Sequence, residues 1–114
     1  MRAQTNKVVI ENADYSLAFS SGLAAEQAII QLLEPKSRVL VCDDVYGGTG
    51  RLFRKLYAKY DIKFEFIDMT NKDVVEQAFS KKVDMVWFET PSNPLLKIID
   101  IKFFAKKTSA ASLL

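Results

Sequence analysis

The sequence predicts an α/β fold, a mostly parallel sheet with flanking helices. Three short runs rich in apolar, β-branched and aromatic residues alternate with segments whose apolar residues recur at helical spacing. This alternation is typical of units in which a helix crosses one face of the sheet and returns the chain to start the next parallel strand. Sheets of this kind commonly contain more than three strands, so we expect the chain to form part of a larger domain.

The first predicted helix spans residues 23–33, where alanine, isoleucine and leucine recur every three to four positions. Pro35 lies just beyond it and is a usual stop signal. The first strand is residues 39–42, an unbroken apolar run of the kind buried inside a parallel sheet. A second helix is predicted over residues 52–60 from the same helical spacing.

The second predicted strand, residues 62–67, alternates apolar and polar side chains. The third, residues 83–88, is rich in β-branched and aromatic residues. A short helix is predicted between them over residues 73–79, and a last helix over about residues 101–107.

Composition narrows the class of protein. Of 114 residues, 49% are apolar and 26% charged, as in an ordinary soluble globular protein. The net charge of +2 is too small to indicate a nucleic-acid or membrane partner, and no apolar run is long enough to span a membrane. A single cysteine excludes an internal disulfide, and the absence of histidine excludes histidine-based catalysis and most zinc sites. The first residues lack a secretory pattern, so we expect a cytoplasmic location.

Three polar segments are expected at the ligand-binding edge, because ligands in open α/β sheets bind beyond the carboxyl ends of the strands. The first is Ser-Ser-Gly at residues 20–22, where a helix begins. The free amides and the dipole of a helix start bind anions, and glycine lets a phosphate approach the backbone. The alternative is a plain serine N-cap. The segment matches neither the P-loop nor the dinucleotide-binding fingerprint.

The second polar segment is residues 43–51, Asp-Asp-Val-Tyr-Gly-Gly-Thr-Gly-Arg, directly after the first strand. Beside two glycines, Tyr46 can lie flat against a planar ligand. The alternative is a turn with a surface tyrosine and with Arg51 paired to an aspartate. Asp43 and Asp44 do not indicate a metal, since adjacent carboxylates on an extended segment point apart, and no metal site is predicted.

The third polar segment is Glu-Thr-Pro-Ser-Asn-Pro at residues 89–94. Two prolines fix the turn, so Asn93 is held rigidly at a strand end and can donate a hydrogen bond to a ligand oxygen. The alternative is a structural Asx-type turn, with Glu89 either paired to an arginine or solvated. Cys42, in an apolar strand, is expected to be buried and inert.

The order and spacing of these motifs resemble the cystathionine gamma-lyase branch of the Cys/Met-metabolism enzymes that depend on pyridoxal 5'-phosphate. The resemblance covers residues 7–105 and extends to Lys97 and to Ile-Asp-Ile at residues 99–101. It implies a partial copy of an aspartate aminotransferase-like (type I) large domain over residues 1–106, with residues 107–114 as a divergent tail. It also implies a small amino-acid substrate and a homotetramer.

The resemblance implies a role for each matching residue. Ser21, Gly22 and Leu23 would bind the cofactor phosphate, with the amides of Gly22 and Leu23 as donors. Tyr46 would stack on the pyridine ring and assist the acid–base steps, which makes it the candidate catalytic residue. Asn93 would bond the phenolic oxygen of the ring.

The reaction implied is γ-elimination of cystathionine to cysteine, 2-oxobutanoate and ammonia. Gly48 stands where methionine gamma-lyases tend to carry cysteine, which favours this branch. The family's Schiff-base lysine, the aspartate that pairs the pyridine nitrogen and the arginine that grips the substrate carboxylate have no match here, so we expect the chain alone to be inactive.

Three alternative functions remain open from the sequence. One is an inactive truncated product that associates with full-length subunits. Another is a transferase resembling cystathionine gamma-synthase. The last is an unrelated nucleotide-binding α/β module, against which the lack of a glycine-rich fingerprint argues.

Overall fold

The computed structural model describes residues 14–110, and for residue 110 it describes the backbone alone. The chain divides into two compact units, Met1–Leu32 and Leu33–Leu114. Each unit is described by itself. Among the described residues, no helix has the length and apolar character needed to cross a membrane.

The first unit contains one described helix, α1, at Gly22–Ile30. It begins at Ser21, whose extended backbone and side-chain oxygen form an N-cap, accepting a hydrogen bond of 3.1 Å from the amide of Ala24. The prediction of a helix here is confirmed, although the helix ends three residues before the predicted end. It ends because the amide of Leu32 turns back to the carbonyl of Ile29 in a tight final turn.

The second unit is built on a three-stranded parallel sheet. The strands are β1 at Arg38–Cys42, β2 at Lys63–Ile67 and β3 at Met85–Trp87, in the order β2-β1-β3. Val39 pairs with Phe64 on one side and Met85 on the other. The predicted parallel sheet is confirmed, and the central position of β1 explains its unbroken apolar run, since residues 39–42 are fully buried.

The helix after β1 starts earlier than predicted. We expected residues 43–51 to be a polar loop, but α2 begins at Gly47–Arg51 and continues as a π-helical turn, Leu52–Leu56, and a 3₁₀ turn, Tyr57–Tyr60. Glycine is a poor helix former, so the local sequence gives no helix signal there. A Cβ at Gly50 would lie 2.7 Å from Nη1 of Arg54, so a larger residue there would displace only the end of this flexible side chain.

Two further helices flank the sheet. Helix α3, Lys72–Ala78, begins at Asn71, whose side chain accepts from the amides of Asp73 and Val74. Helix α4 covers Ile101–Ala110 and passes without a break through the boundary predicted between residues 106 and 107. Residues 111–114 lie outside the described residues, so the divergent tail stays a prediction.

An aromatic cluster forms the core of the second unit. Phe53 is fully buried, stacks on Phe64 with 4.7 Å between ring centroids, and meets Trp87 edge-on at 5.4 Å. These contacts join α2's continuation to β2 and β3. Offset stacks and edge-on pairs add to the stabilisation that burial of the rings supplies.

Arg38 fastens the amino end of the sheet. Its guanidinium pairs with Glu65 of β2 at 2.6 Å and donates to the carbonyl of Ala78 at 2.8 Å. Its own amide donates to Asp84 at 2.9 Å, and the pKa of Asp84 is lowered by its hydrogen bonds with Lys82 and with this amide. The amino ends of the strands are thus held by charged contacts, while their carboxyl ends carry the polar loops.

Replacing Phe53 by alanine should lower the free energy of unfolding by about 3–5 kcal/mol, because it empties the centre of the aromatic cluster. Urea unfolding followed by circular dichroism would measure the loss. Lys59→Ala, on the exposed 3₁₀ turn, is the control and should change stability by less than about 0.5 kcal/mol. Equal effects of the two substitutions would show that this cluster is not the core.

Candidate functional site

Two adjacent carboxylates follow β1 and point to different surroundings. Asp43 is exposed and extends the sheet through its amide, which donates to the carbonyl of Ile67 at 2.9 Å. Asp44 is buried, with 8% of its surface exposed. This divergence is the one expected of neighbours on an extended segment.

Asp44 joins the loop after β1 to the loop after β3. Its carboxylate accepts a short hydrogen bond from the Ser92 hydroxyl and another, of 2.8 Å, from the amide of Leu95. The same hydroxyl oxygen accepts from the amide of Lys97 at 2.9 Å, and Ser92 is 1% exposed. Buried polar groups need such partners, and here each one has them.

Lys97 brings a positive charge to the same edge of the sheet. Its ammonium group pairs with Asp43 at 2.8 Å and with Asp68, which follows β2, at 3.3 Å. The hydrogen bond to Asp43 raises the pKa of Lys97. The pKa of Asp68 is lowered chiefly by hydrogen bonds from the hydroxyl and amide of Thr70, with Lys97 adding to the effect. All three strand ends are therefore linked through Lys97 and its loop.

Tyr46 stands at the start of α2 and is held through its backbone. Its amide donates to both carboxylate oxygens of Glu89, at 3.0 and 3.1 Å, and its carbonyl accepts from the amide of Gly50. The side chain is half exposed, and a Cβ on the neighbouring Gly47 would meet no atom within 4 Å. The half-exposed side chain of Tyr46 lies just beyond the carboxyl end of β1, and its predicted contact with a planar ligand stays a prediction.

Asn93 lies in the loop after β3, between two cis peptide bonds, Thr90–Pro91 and Asn93–Pro94. The alternative of an Asx-type turn is wrong. The turn is closed by Ser92, whose carbonyl accepts from Leu96 and whose amide donates to Lys97. The Asn93 side chain is exposed and forms no hydrogen bond with another described residue.

The predicted phosphate-binding residues belong to the first unit. The Ser21 hydroxyl acts as an N-cap for Ala24, so the plain-cap interpretation holds for this side chain. The amides of Gly22 and Leu23 are the first two of α1, and the first turn of the helix contains no acidic residue. Open space surrounds Gly22, since a Cβ there would meet nothing within 4 Å. Free donors at a helix start remain available to an anion.

Two sequence-based interpretations of charged residues are wrong. Arg51 is exposed and pairs with no aspartate of the described chain, because Lys97 occupies that role. Glu89 neither pairs with an arginine nor points only into solvent, because it accepts the Tyr46 amide. No sequence spacing reveals these contacts, since the partners lie more than 40 residues apart.

Cys42 is fully buried next to the site, as predicted. Its thiol donates to the carbonyl of Asp44 at a sulfur–oxygen distance of 3.4 Å. Burial raises the pKa of this thiol, with Asp43 adding a smaller effect in the same direction. A buried thiol with a raised pKa is a poor nucleophile.

The second unit is thus part of an open α/β sheet whose polar loops lie at its carboxyl edge, where proteins of this class bind their ligands. The model of one family, Cys/Met metabolism PLP-dependent enzyme, matches residues 3–114. The chain belongs to this family, whose cofactor is pyridoxal phosphate.

Two curated relatives show how similar the chain is to individual enzymes of this family. A cystathionine gamma-lyase of Dictyostelium discoideum is 50% identical over 95 residues, which are 83% of this chain and 24% of that protein. A cystathionine beta-lyase of Coxiella burnetii is 42% identical over 98 residues, 85% of this chain and 25% of the relative. The chain thus spans about a quarter of the length of the curated relatives it matches.

A solved structure supports the fold. The cystathionine gamma-lyase from Lactobacillus plantarum, complexed with L-serine, superposes with a TM-score of 0.89 at 34% identity. The superposition covers 94% of this chain and 28% of that one. The predicted type I large domain, present in part, is confirmed.

The residues of the chain fit the chemistry of the cofactor. Pyridoxal phosphate combines a phosphate group with a planar ring that carries a phenolic oxygen. The free amides at the start of α1 suit a phosphate, and the half-exposed ring of Tyr46 suits a planar partner. The exposed carboxamide of Asn93 is free to bond a ring oxygen.

The lowered pKa of Asp68 predicts a pH-dependent contribution to stability. A carboxyl group whose folded pKa is lowered stabilises the fold above its unfolded pKa, about 3.9, and loses that effect as the pH falls through the folded value. We therefore expect Asp68→Asn to be less stable than the unmodified chain at pH 6. The difference should shrink toward pH 3.

Urea unfolding of both proteins at pH 3, 4, 5 and 6 measures this effect. Glu34→Gln, at an exposed residue before β1, serves as the control. A difference between the Asp68 variant and the unmodified chain that stays constant from pH 6 to pH 3 would contradict the role of ionised Asp68.

Proposed function

We propose that these residues form part of the cofactor site of a pyridoxal-phosphate-dependent carbon–sulfur lyase that cleaves cystathionine by γ-elimination. The products would be cysteine, 2-oxobutanoate and ammonia. The observation that carries the proposal is the pair of unengaged side chains, Tyr46 and Asn93, at the carboxyl ends of the neighbouring strands β1 and β3.

Each residue has a distinct role in this proposal. The amides of Gly22 and Leu23, with Ser21 beside them, bind the cofactor phosphate. Tyr46 stacks on the pyridine ring, and its hydroxyl accepts and returns a proton during the reaction. Asn93 bonds the phenolic oxygen of the ring and fixes its orientation.

The bound cofactor would supply an electron sink for the carbanions that form at the substrate's α and β carbons. The chain's own residues bind and orient the ring, keep one face of it against Tyr46, and move a proton at the Tyr46 hydroxyl. Side chains held rigidly in this way lower the barrier by orientation as well as by proton transfer.

The choice of γ-elimination is supported by the order of the relatives. Relatives named cystathionine gamma-lyase share 42–50% of their residues with this chain over the matched region, and relatives named cystathionine beta-lyase share 42–43%. Gly48 separately favours a cystathionine lyase over the methionine gamma-lyases. A transferase like cystathionine gamma-synthase is the second candidate, since it would use the same cofactor contacts.

The activity as a whole is proposed for a longer polypeptide that includes these residues. The chain covers about a quarter of its relatives, and none of its lysines lies in the sequence context of the family's cofactor lysine. We propose a cytoplasmic homotetramer for that polypeptide. For the 114 residues alone, we propose no activity, although association with full-length subunits is an open function for them.

The purified 114-residue chain should form no stoichiometric adduct with pyridoxal phosphate on one defined lysine. Incubation with the cofactor, reduction with borohydride and peptide mass spectrometry would measure this directly. We expect only low, scattered modification, because surface lysines react weakly and without selectivity. A single fully modified lysine would overturn the proposal that the chain is inactive by itself.

A chimera tests the roles of Tyr46 and Asn93. The chain's residues would replace the matching segment of the Dictyostelium discoideum enzyme, and formation of 2-oxobutanoate and pyruvate from cystathionine would be followed. Tyr46→Phe should lower kcat by about 100-fold or more through loss of proton transfer. Asn93→Ala should weaken cofactor binding by about 2- to 10-fold, the effect of one hydrogen bond.

Tyr60→Phe is the matched control, because Tyr60 is exposed on the 3₁₀ turn. It should leave kcat and cofactor affinity unchanged. Pyruvate as the main product would favour β-elimination, and an inactive chimera that binds cofactor normally would contradict the proposed role of this segment in catalysis.

A further inference from the structure

Two carboxylates connect the loop after β1 with the loop after β3. Each loop supplies one of them, and each accepts hydrogen bonds from the other loop. Asp44, in the loop after β1, accepts from Ser92 and from the amide of Leu95 in the loop after β3. Glu89, in the loop after β3, accepts from the amide of Tyr46 in the loop after β1. We refer to Asp44 and Glu89, with these contacts, as the reciprocal carboxylate clamp.

The two side chains proposed to contact the cofactor, Tyr46 and Asn93, lie close in sequence to the residues of the clamp. Tyr46 follows Asp44 by two residues, and Asn93 directly follows Ser92. Neither the Tyr46 hydroxyl nor the Asn93 carboxamide forms a hydrogen bond with another described residue. Their positions relative to each other are therefore fixed by the backbone, and the clamp joins that backbone across the two strands.

The Asp44 end of the clamp depends on one carboxylate oxygen. Asp44 is buried, and its Oδ2 accepts from both the Ser92 hydroxyl and the Leu95 amide. The nearby ammonium group of Lys97 pairs instead with Asp43 and Asp68. Removing this buried acceptor would leave both donors without their partner, which costs more than the hydrogen bonds contribute on balance.

The Glu89 end resembles half of a helix capping box, supplied from another part of the chain. In a capping box, a glutamate side chain inside the first turn reaches back to the amide of the N-cap residue. Tyr46 is the N-cap residue of α2 and has no side-chain cap of its own. Glu89 takes the place of the missing glutamate from 43 residues away and so ties the start of α2 to the β3 loop.

We propose that Asp44 and Glu89 are positioning residues that set the separation of Tyr46 and Asn93 before any ligand binds. This inference rests on the proposed function for its meaning, since Tyr46 and Asn93 are the residues it positions. The clamp itself is a property of the loops and can be measured without the cofactor.

Amide hydrogen exchange on the 114-residue chain, followed by NMR, tests the clamp. Glu89→Ala should speed exchange at the Tyr46 amide by about 10-fold or more, since a hydrogen bond to a charged acceptor is lost. If the clamp couples the loops, Leu95 and Lys97 should also exchange faster. Glu89→Gln retains one oxygen acceptor and should restore most of the protection.

Asp44→Ala gives the reciprocal test. The Ser92 hydroxyl and the Leu95 amide both donate to the same Asp44 oxygen, so removing that oxygen should speed exchange at Leu95, and the effect should reach Tyr46. Glu34→Ala is the matched control, because Glu34 is an exposed carboxylate that precedes the amino end of β1, the end opposite to the clamp. The exchange rate at Val41 in central β1 reports global stability in every variant, and rates would be compared after correction for it.

The exchange results decide the proposal in either direction. Fast exchange confined to the substituted contact, with the other loop unchanged, would overturn the clamp. Unchanged protection of Tyr46 in Glu89→Ala would overturn it as well. If Glu89→Ala fails to fold, Ser92→Ala replaces it, because Ser92 donates to Asp44 and accepts from the amide of Lys97. Faster exchange at Lys97 that extends to Tyr46 supports coupling, and faster exchange that does not reach Tyr46 contradicts it.

A second readout separates the clamp from the proposed function. In the chimera, Glu89→Ala should lower kcat with little change in KM, Glu89→Gln should restore most of the loss, and the effect of Glu89→Ala should disappear when Tyr46 is already phenylalanine, because Glu89 acts through Tyr46. Additive effects would contradict a positioning role. If the substitutions remove the coupled amide protection but change neither cofactor affinity nor kcat, the clamp is supported and the proposed function is overturned.

Discussion

The contact between the buried Asp44 carboxylate and the Ser92 hydroxyl holds together the two loops that carry Tyr46 and Asn93. The sheet fixes where β1 and β3 end, but it does not fix the loops beyond them. Asp44 extends the order of the central strand into the loop after β3 by accepting from Ser92 and Leu95. Ser92 then accepts from the amide of Lys97, so one carboxylate organises the whole turn that presents Asn93.

Contacts of charged side chains link the rest of the carboxyl edge of the sheet to this turn. With the turn in place, the ammonium group of Lys97 reaches Asp43 and Asp68 and links the ends of β1 and β2. Glu89, at the start of the same turn, meets the amide of Tyr46 and sets where α2 begins. The charged side chains at this edge thus hold the loops in place through hydrogen bonds and ion pairs; they are Asp43, Asp44, Asp68, Glu89 and Lys97. The side chains of Tyr46 and Asn93 form no hydrogen bond with another described residue. Such a division between supporting and presented side chains is what a preorganised site requires.

Much of this architecture follows from the sequence because its causes are local. The unbroken apolar run of β1 predicts a central buried strand, and the alternation of helical and extended patterns predicts a parallel sheet. The three polar segments are also recognisable in the sequence, and their order and spacing indicate the family. The start of α2 was missed because its glycines weaken the helix signal and the supporting contact comes from Glu89, 43 residues away. The roles of Ser92 and Lys97 were missed for the same reason, since their partners are set by the pairing of strands and not by neighbours in sequence.

The dependence of the edge on Asp44 and Ser92 is tested most directly by a double-mutant cycle. Asp44→Ala, Ser92→Ala and the double variant would be compared with the unmodified chain by urea unfolding. A buried, charge-assisted contact predicts a coupling free energy above about 1 kcal/mol between the two residues. Strictly additive losses would show that the two residues act independently and that the loops are held by something else.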